Sequence, residues 1–502
     1  MKKIYLIFIL AVGLISSCSM DTEPLGSLPE NEATQTPADF KSLRNGLYSA
    51  LRLSVGGNTF YTPIEVQSDE FHATSLNSNT FGDMYRWDFT PQNEYITAVY
   101  SNYQATIARA NVIIDGYNNC DMSDATVFTP LEMDSVRLAK GDAFFARAYC
   151  IFMLSQYFCA DYEETTANDP NTGVSYRIDY APSSDPATYP ARKTLAETFN
   201  QIEADLDSAA LYITTPGEPG MERISVDAIT ALRARVALAM DDYLAAANYA
   251  ASLINGGNYT LAVDTEEIAR MWADYGDMET IMQIQVGSSS DQYPSTSGDY
   301  YLLINGNVDF VPTATLINLY SQNDKRFDAY FSSINVVNNV GASATVYGFN
   351  KFPLETRLYA GYQSNATRSL ISPKMFRIAE MYLIAAEGYA MANDITRAAQ
   401  YLNALEDNRI DGYTPQTFTS RDAIMQEIMN EREREMVGEG TRIFDMKRWH
   451  MSMERGEAQD ESILGFTSSS YMIQPANANR MTWPIPKNET DLASQIVQNP
   501  GY

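Results

Sequence analysis

The densest chemistry in the chain runs from Asn430 to His450, "NEREREMVGEGTRIFDMKRWH". Positions three and four apart share one side of a helix. Arg432, Glu435 and Glu439 follow that spacing, and Arg442, Asp445 and Arg448 continue it beyond Gly440. Such a stripe suits general acid–base catalysis, contact with a nucleic acid, or internal ion pairing. Acid–base catalysis needs one carboxyl raised in pKa beside an ionised partner. Interleaved arginines predict instead that all these carboxylates stay ionised. Pairs at this spacing satisfy one another, whereas an unpaired buried charge is very costly. The pattern favours pairing.

A second constellation lies in "LNSNTFGDMYRWDFTPQNEY", Leu76 to Tyr95, where Asn77, Asn79, Asp83, Tyr85, Arg86 and Trp87 are gathered ahead of a helix. Trp87 reads equally well as a ring offered to a ligand and as a cap on the core. "SSSDQYPSTSGDYY" offers Tyr293, Tyr300 and Tyr301 on a Ser/Gly-rich stretch, and "ETRLYAGYQSNATR" offers Tyr359, Tyr362 and Asn365. Trp272, in "RMWADYGDMETIMQIQ", reads as packing beneath helices. The only histidines are His72 and His450, and neither sits in an HExxH pattern. There is no GxSxG elbow, no P-loop and no GxGxxG after a strand. "GEG" at Gly438 to Gly440 reads as a helix break. A glycosidase needs only a pair of carboxylates, and no such pair stands out. No CxxC or Cys/His spacing suggests a metal, and no cofactor is expected. Cys150 and Cys159 share one helical segment, about 13 Å apart. That exceeds the roughly 7 Å Cα limit for a disulfide, so they read as buried thiols.

The 502 residues are 45% hydrophobic and 20% charged, a globular composition able to build a large core. The net charge of -28, with no basic block, argues against nucleic acid and fits a neutral ligand or a basic partner. At the N-terminus Lys2 and Lys3 precede the apolar run "IYLIFILAVGLI" and then Ser16, Ser17 and Cys18. This describes a secretory signal over residues 1–17, too short to span a bilayer as a helix. "ISSC" resembles a bacterial lipobox, which would make Cys18 the lipidated first residue of the mature chain. Asp21 and Glu23 resemble a surface-export signal of some Gram-negative lipoproteins. A polar tether over residues 18–40 would follow.

The elements that must position these groups are helical. "ITAVYSNYQATIARANVIIDG" predicts a helix stopping at Gly116, and "VRLAKGDAFFARAYCIFMLSQYF" a helix apolar nearly all round and hence central. "TLAETFNQIEADLDSAALYI" opens on Thr194 and Glu197 at capping-box spacing. Two segments repeat at a shift of 152 positions, matching Ala234 with Ala386, Asp242 with Asp394, Ala246 with Ala398, Ala247 with Ala399 and Tyr249 with Tyr401. Each reads as a helix, an Asp turn and a second helix, the logic of tetratricopeptide-like pairs. Long irregular stretches are expected over Ala160–Pro190, Gly287–Val311 and Ser332–Ser372, with a functional role suggested by their length and tyrosines. The fold class is mainly α, helical pairs holding elaborate loops.

"RIAEMYLIAAEGYA", "NEREREMVGEGTRIFDMKRWH" and the terminal "WPIPKNETDLASQIVQNPGY" resemble signatures of the SusD/RagB family, and "NYQATIARANVII" and "GDAFFARAYCIFMLSQYF" resemble its N-terminal helices. The resemblance covers almost the whole mature chain and implies one domain over residues 41–502. It implies a lipoprotein of the outer-membrane surface that captures oligosaccharide, or in some members peptide, as a lid on a SusC-like TonB-dependent transporter. It also implies structural roles for Glu431, Arg432, Glu435, Glu439, Arg442 and Asp445. Sugars stack C–H faces on rings and bond through hydroxyls to amides, acids and guanidinium groups. Asn79, Asp83, Tyr85, Arg86, Trp87, Tyr293, Tyr300, Tyr359 and Tyr362 are therefore the candidate ligand contacts. Trp449 and Trp483 lie inside the family motifs and read as core. A helical assembly scaffold that binds only other proteins is the alternative from a different class, and a hydrolase a third.

Overall fold

In a computed structural model of the chain, the structure describes residues 33–55, 57–286, 308–353, 356–357 and 371–502. Cys18, Tyr293, Tyr300, Tyr359 and Tyr362 lie outside them. The first long helix, α1 (Pro37–Leu53), starts where a tether was expected. Thr36 and Asp39 close a capping box, and Pro37 and Phe40 are already buried. The helix thus begins inside the span 18–40 given to the tether.

The helices that follow are α2 (Glu94–Asn119), α3 (Pro130–Phe158), α4 (Leu195–Tyr212), α5 (Val226–Ala239), α6 (Tyr243–Gly256) and α7 (Thr265–Trp272). After them come α8 (Lys325–Tyr330), α9 (Ile378–Met391), α10 (Ile395–Arg409), α11 (Arg421–Met436) and α12 (Arg442–Arg448), with shorter turns between. α3, apolar on most sides, packs against α1, α2 and α4. α2 does not stop at Gly116: a Cβ there would come within 2.3 Å of Thr34 Cγ2, so the glycine serves close packing rather than termination.

The repeat is present in three dimensions. α5 with α6, and α9 with α10, form the paired helices, and α6 packs on α9. Asp241 and Asn393, at matching positions of the two turns, adopt φ of 59° and 64°. Asp242 and Asp394 then cap the second helices, accepting from Ala245 N at 3.2 Å and Arg397 N at 3.1 Å. At the crossing of α6 and α9, a Cβ on Gly388 would meet Tyr243 O at 2.4 Å.

Short strands interrupt the helices: β1 (Phe71–Ala73), β2 (Thr280–Gln283), β3 (Phe310–Pro312), β4 (Phe331–Val337), β5 (Ser343–Phe349) and β6 (Lys374–Arg377). They pair antiparallel as β1–β3, β2–β6 and β4–β5. The stretch Ser332–Ser372, expected to be irregular, thus opens with a hairpin in register Phe331↔Phe349 to Val337↔Ser343. Val336, Ala344 and Val346 bury its inner face against Val308, Val311 and Ile463.

The Asn430–His450 charges are mostly buried in ion pairs, some closed inside the stretch and some reaching other elements. Pairs at i,i+3 are Arg434–Glu431 at 2.7 Å in α11 and Arg448–Asp445 at 2.9 Å in α12; Arg434 also meets Glu427 of its own helix, while further pairs reach across to different elements. Glu435 accepts from Arg326 at 3.0 Å, Arg377 at 2.8 Å and Arg409 at 2.9 Å, all fully buried. Arg326 also holds Asp324 and Glu431, and Arg377 and Arg409 share Glu279. Glu439 takes Arg377 and Lys351, Arg432 takes Asp445 at 2.6 Å, and Arg442 joins Asp69 to Glu433.

Burial pushes Glu435 up, but Arg409, Arg377 and Arg326 together outweigh it and hold the carboxyl well below its usual range. Glu439 and Asp445 are lowered for the same reason. The expectation that every carboxylate here stays ionised does not hold at Glu433, where burial outweighs the neighbouring Arg442. Burial pushes Glu433 up to about 7, and burial with the neighbouring Glu431 charge pushes Glu406 up to about 8.

Candidate functional site

The loop from Thr74 to Asn93 is built on β1. Thr74 N donates to Asp309 O at 2.9 Å, extending the β1–β3 ladder. Gly465 N donates to Ala73 O at 3.0 Å on the other side. That approach requires glycine, since a Cβ on Gly465 would sit 2.3 Å from Thr74 O. Asn77 Nδ2 reaches Thr80 O at 3.3 Å and Asp309 O at 3.5 Å, tying the loop back on itself. The Asp309 carboxyl is pushed up to about 6 by burial alone.

The loop is held in unusual backbone geometry. Asn79, Phe81 and Trp87 adopt φ of 76°, 51° and 57°. Asn tolerates that region, whereas bulky residues enter it only where surrounding structure forces them. Phe81 is fixed against Tyr95, ring centroids 4.7 Å apart. Trp87 is fixed from two sides: its Nε1 donates to Gln67 O at 3.1 Å, and Arg480 Nη1 donates to its carbonyl at 2.6 Å.

At the surface these constraints set up a clamp. Arg86 Nη1 donates to Asn79 Oδ1 at 2.7 Å and Nη2 to Asp83 Oδ1 at 3.1 Å. The guanidinium lies 5.3 Å above the centre of the Phe466 ring. Gly82 makes the clamp possible, because a Cβ there would meet Asn79 Oδ1 at 2.1 Å. Beside it lies an open groove of about 380 Å³ bordered by Asn79, Asp83, Thr90, Asn93, Glu94 and Tyr95. Asn93 also caps α2, accepting from Tyr95 N at 3.0 Å and Ile96 N at 3.2 Å. A carboxylate, a guanidinium, amides and one ring on a rigid base can bind a polyhydroxylated ligand by directed hydrogen bonds.

The structure separates the candidate contacts. Asn79, Asp83 and Arg86 stand together on the surface. Tyr85 and Trp87 do not join them, being 1% and 2% exposed. Tyr85 lies beneath Arg455, 3.8 Å from its ring centre, and packs on Phe310, Phe466 and Tyr471. Neither ring can present a face to a ligand. Their burial follows from the fold at Gln67, Arg455 and Arg480, distant residues that carry no local signal. Trp272 and Trp483 are buried as expected, while Trp449 is half-buried and donates to Glu387 at 2.7 Å. Phe466 was missed for the same reason: it reaches the clamp from far along the chain.

Among the described residues, the carboxyls raised to about 7 or above lie away from this face. Glu70, Glu406 and Glu433 are raised by burial inside the ionic core. Elsewhere, Asp161, Glu163 and His450 bring one ligand atom each within 4.8 Å of one another, a grouping absent from the linear spacing.

A family model described as the SusD family matches residues 332–502, and one described as starch-binding associating with outer membrane matches residues 24–238. No curated protein matches the chain. A SusD superfamily protein from Bacteroides thetaiotaomicron is 22% identical with a TM-score of 0.75, over 93% of this chain and 100% of that one. A SusD-like carbohydrate binding protein from Bacteroides vulgatus is 16% identical with a TM-score of 0.74, over 92% and 97%. A SusD superfamily protein from Parabacteroides distasonis is 18% identical with a TM-score of 0.71, over 93% and 99%. At such identities the likeness concerns the fold.

Proposed function

From the premise that the chain belongs to the SusD family, we propose that it is a lipid-anchored glycan-binding protein of the outer-membrane surface. It captures an oligosaccharide and passes it, uncleaved, to a SusC-like TonB-dependent transporter. The observation carrying this reading is the Asn79–Asp83–Arg86 clamp over Phe466, beside an open groove. Charge-assisted hydrogen bonds from a pre-positioned guanidinium and carboxylate suit sugar hydroxyls. The descriptions "starch-binding" and "carbohydrate binding" attached to the second family model and one structural relative support the ligand class. Tyr293, Tyr300, Tyr359 and Tyr362 are the proposed ring faces completing the site, since Tyr85 and Trp87 are enclosed. Cys18 after the apolar run supports the anchor, and the family premise supports the outer membrane and the transporter partner.

Calorimetric titration of the mature chain with a panel of soluble oligosaccharides tests this. One or more should bind, and Asp83→Ala and Arg86→Ala should each weaken binding about tenfold with an unchanged Tm. Unaltered affinity in both variants removes the clamp from the site. Binding of peptides or proteins alone removes the glycan, and release of reducing sugar makes the protein an enzyme.

A further inference from the structure

The long stretch Ala160–Pro190 has no part in the clamp, yet its second half forms one wall of the groove of about 410 Å³ along α2. Such a volume falls within the range of small-molecule sites. The floor is α2, through Tyr100, Gln104 and Asn111, and the far wall is the C-terminal segment at Glu489. The loop is locked in place. Gln104 Nε2 donates to Ser175 O at 2.7 Å, and Asn111 Nδ2 to Arg177 O and Asp179 O at 3.1 and 3.0 Å. Tyr180 N donates to Asp115 Oδ2 at 2.6 Å, and Gln495 Nε2 to Pro186 O and Tyr189 O at 2.7 and 2.9 Å. These bonds fix the backbone at Tyr180 and Tyr189, each half-buried and lining the groove.

Glu489 is the unexplained group. It is half-buried, and no cation among the described residues pairs with it. Its one side-chain hydrogen bond among the described residues is from Asn488 Nδ2, at 3.3 Å. Burial alone raises it. A carboxylate left short of donors in a groove that tyrosines also line is suited to two hydroxyls of a sugar whose C–H face lies on tyrosine. Both grooves border α2. Glu94 borders the first groove and Ser101, seven residues on, the second, so both lie on one side of α2. From Glu94 to Gln104 the helix rises about 15 Å, several sugar units.

We propose that the α2 groove, through Tyr180, Tyr189 and Glu489, is a second subsite for the same oligosaccharide, holding units beyond those at the clamp. This rests on the glycan reading above and adds a preference for longer chains. The test is calorimetry on the mature chain with a ladder of two to eight units of the tightest-binding glycan. Affinity should rise with length. Tyr180→Ala and Glu489→Gln should abolish that rise, about tenfold at the long end, while leaving the disaccharide unchanged, whereas Arg86→Ala weakens every length. A wild type indifferent to length, or variants that keep its full length dependence, overturns the second subsite and leaves the clamp standing. Loss of the disaccharide as well, with a lowered Tm, also overturns it, since the groove would then be supporting the fold. Failure of every glycan to bind the wild type overturns both.

Discussion

Two residues carry the contrast between surface and interior. Trp87 sits in a left-handed backbone position, enclosed and bonded through its indole to Gln67. Trp87→Ala should lower stability by about 3–5 kcal/mol, as for other large core truncations, by urea unfolding. A variant as stable as the wild type would place the ring outside the core. Glu435 is the shared anion of three buried arginines. Glu435→Gln keeps the shape and removes the charge, so a loss of about 3–5 kcal/mol is expected. Unchanged unfolding would mean that the arginines find other partners. Sequence alone marked both positions, but with different success. The acid-rich motif pointed to a structural role because its residue types are unusual wherever they occur. Trp87 stayed ambiguous because its surroundings are supplied by residues as distant as Arg480.

At the level of helices and turns, glycines separate packing from propensity. Gly46 lies in α1, exposed, with nothing within 4 Å of an added Cβ. Gly46→Ala should raise stability by about 0.5–1 kcal/mol through helix propensity. Gly388 gains the same propensity, but the added methyl meets the backbone carbonyl of Tyr243, which cannot swing aside as a side chain could. Overpacking of about 1–3 kcal/mol therefore wins, and Gly388→Ala should lower Tm while Gly46→Ala raises it. Equal shifts in a thermal scan would refute this account. The helical pairs were legible because the turn and cap at Asp242 and Asp394 are local signals repeated at one spacing. The β4–β5 hairpin was not, because its alternation is short and its inner face is covered by Val308, Val311 and Ile463 from elsewhere.

At the scale of the whole molecule, the two classes of buried acid oppose each other in pH. Glu65, Glu70, Glu406 and Glu433 are raised, chiefly by burial. A raised carboxyl binds its proton more tightly in the fold than in the unfolded chain. Its contribution is full below the unfolded value and is lost as pH rises through the folded one. Glu435, Glu439 and Asp445 are lowered, and their contribution is lost as pH falls through their folded values. Stability should therefore peak in mild acid and decline toward pH 8, with Glu406 titrating at about 8 and Glu433 at about 7. Glu406→Gln should flatten that decline in urea melts at several pH values; a decline of undiminished slope would exonerate Glu406. Cys18→Ala should release the protein from the membrane fraction with its Tm unchanged, and retention would argue against the lipid anchor.

The tail of the chain closes over its beginning. Arg480 bonds the carbonyls of Trp87 and Phe89, Trp483 bonds Gln67, and the Tyr502 ring lies on Phe89. The clamp loop therefore takes its shape only when segments 393 positions apart in the chain have met, so a change near residue 480 would be felt at the ligand face.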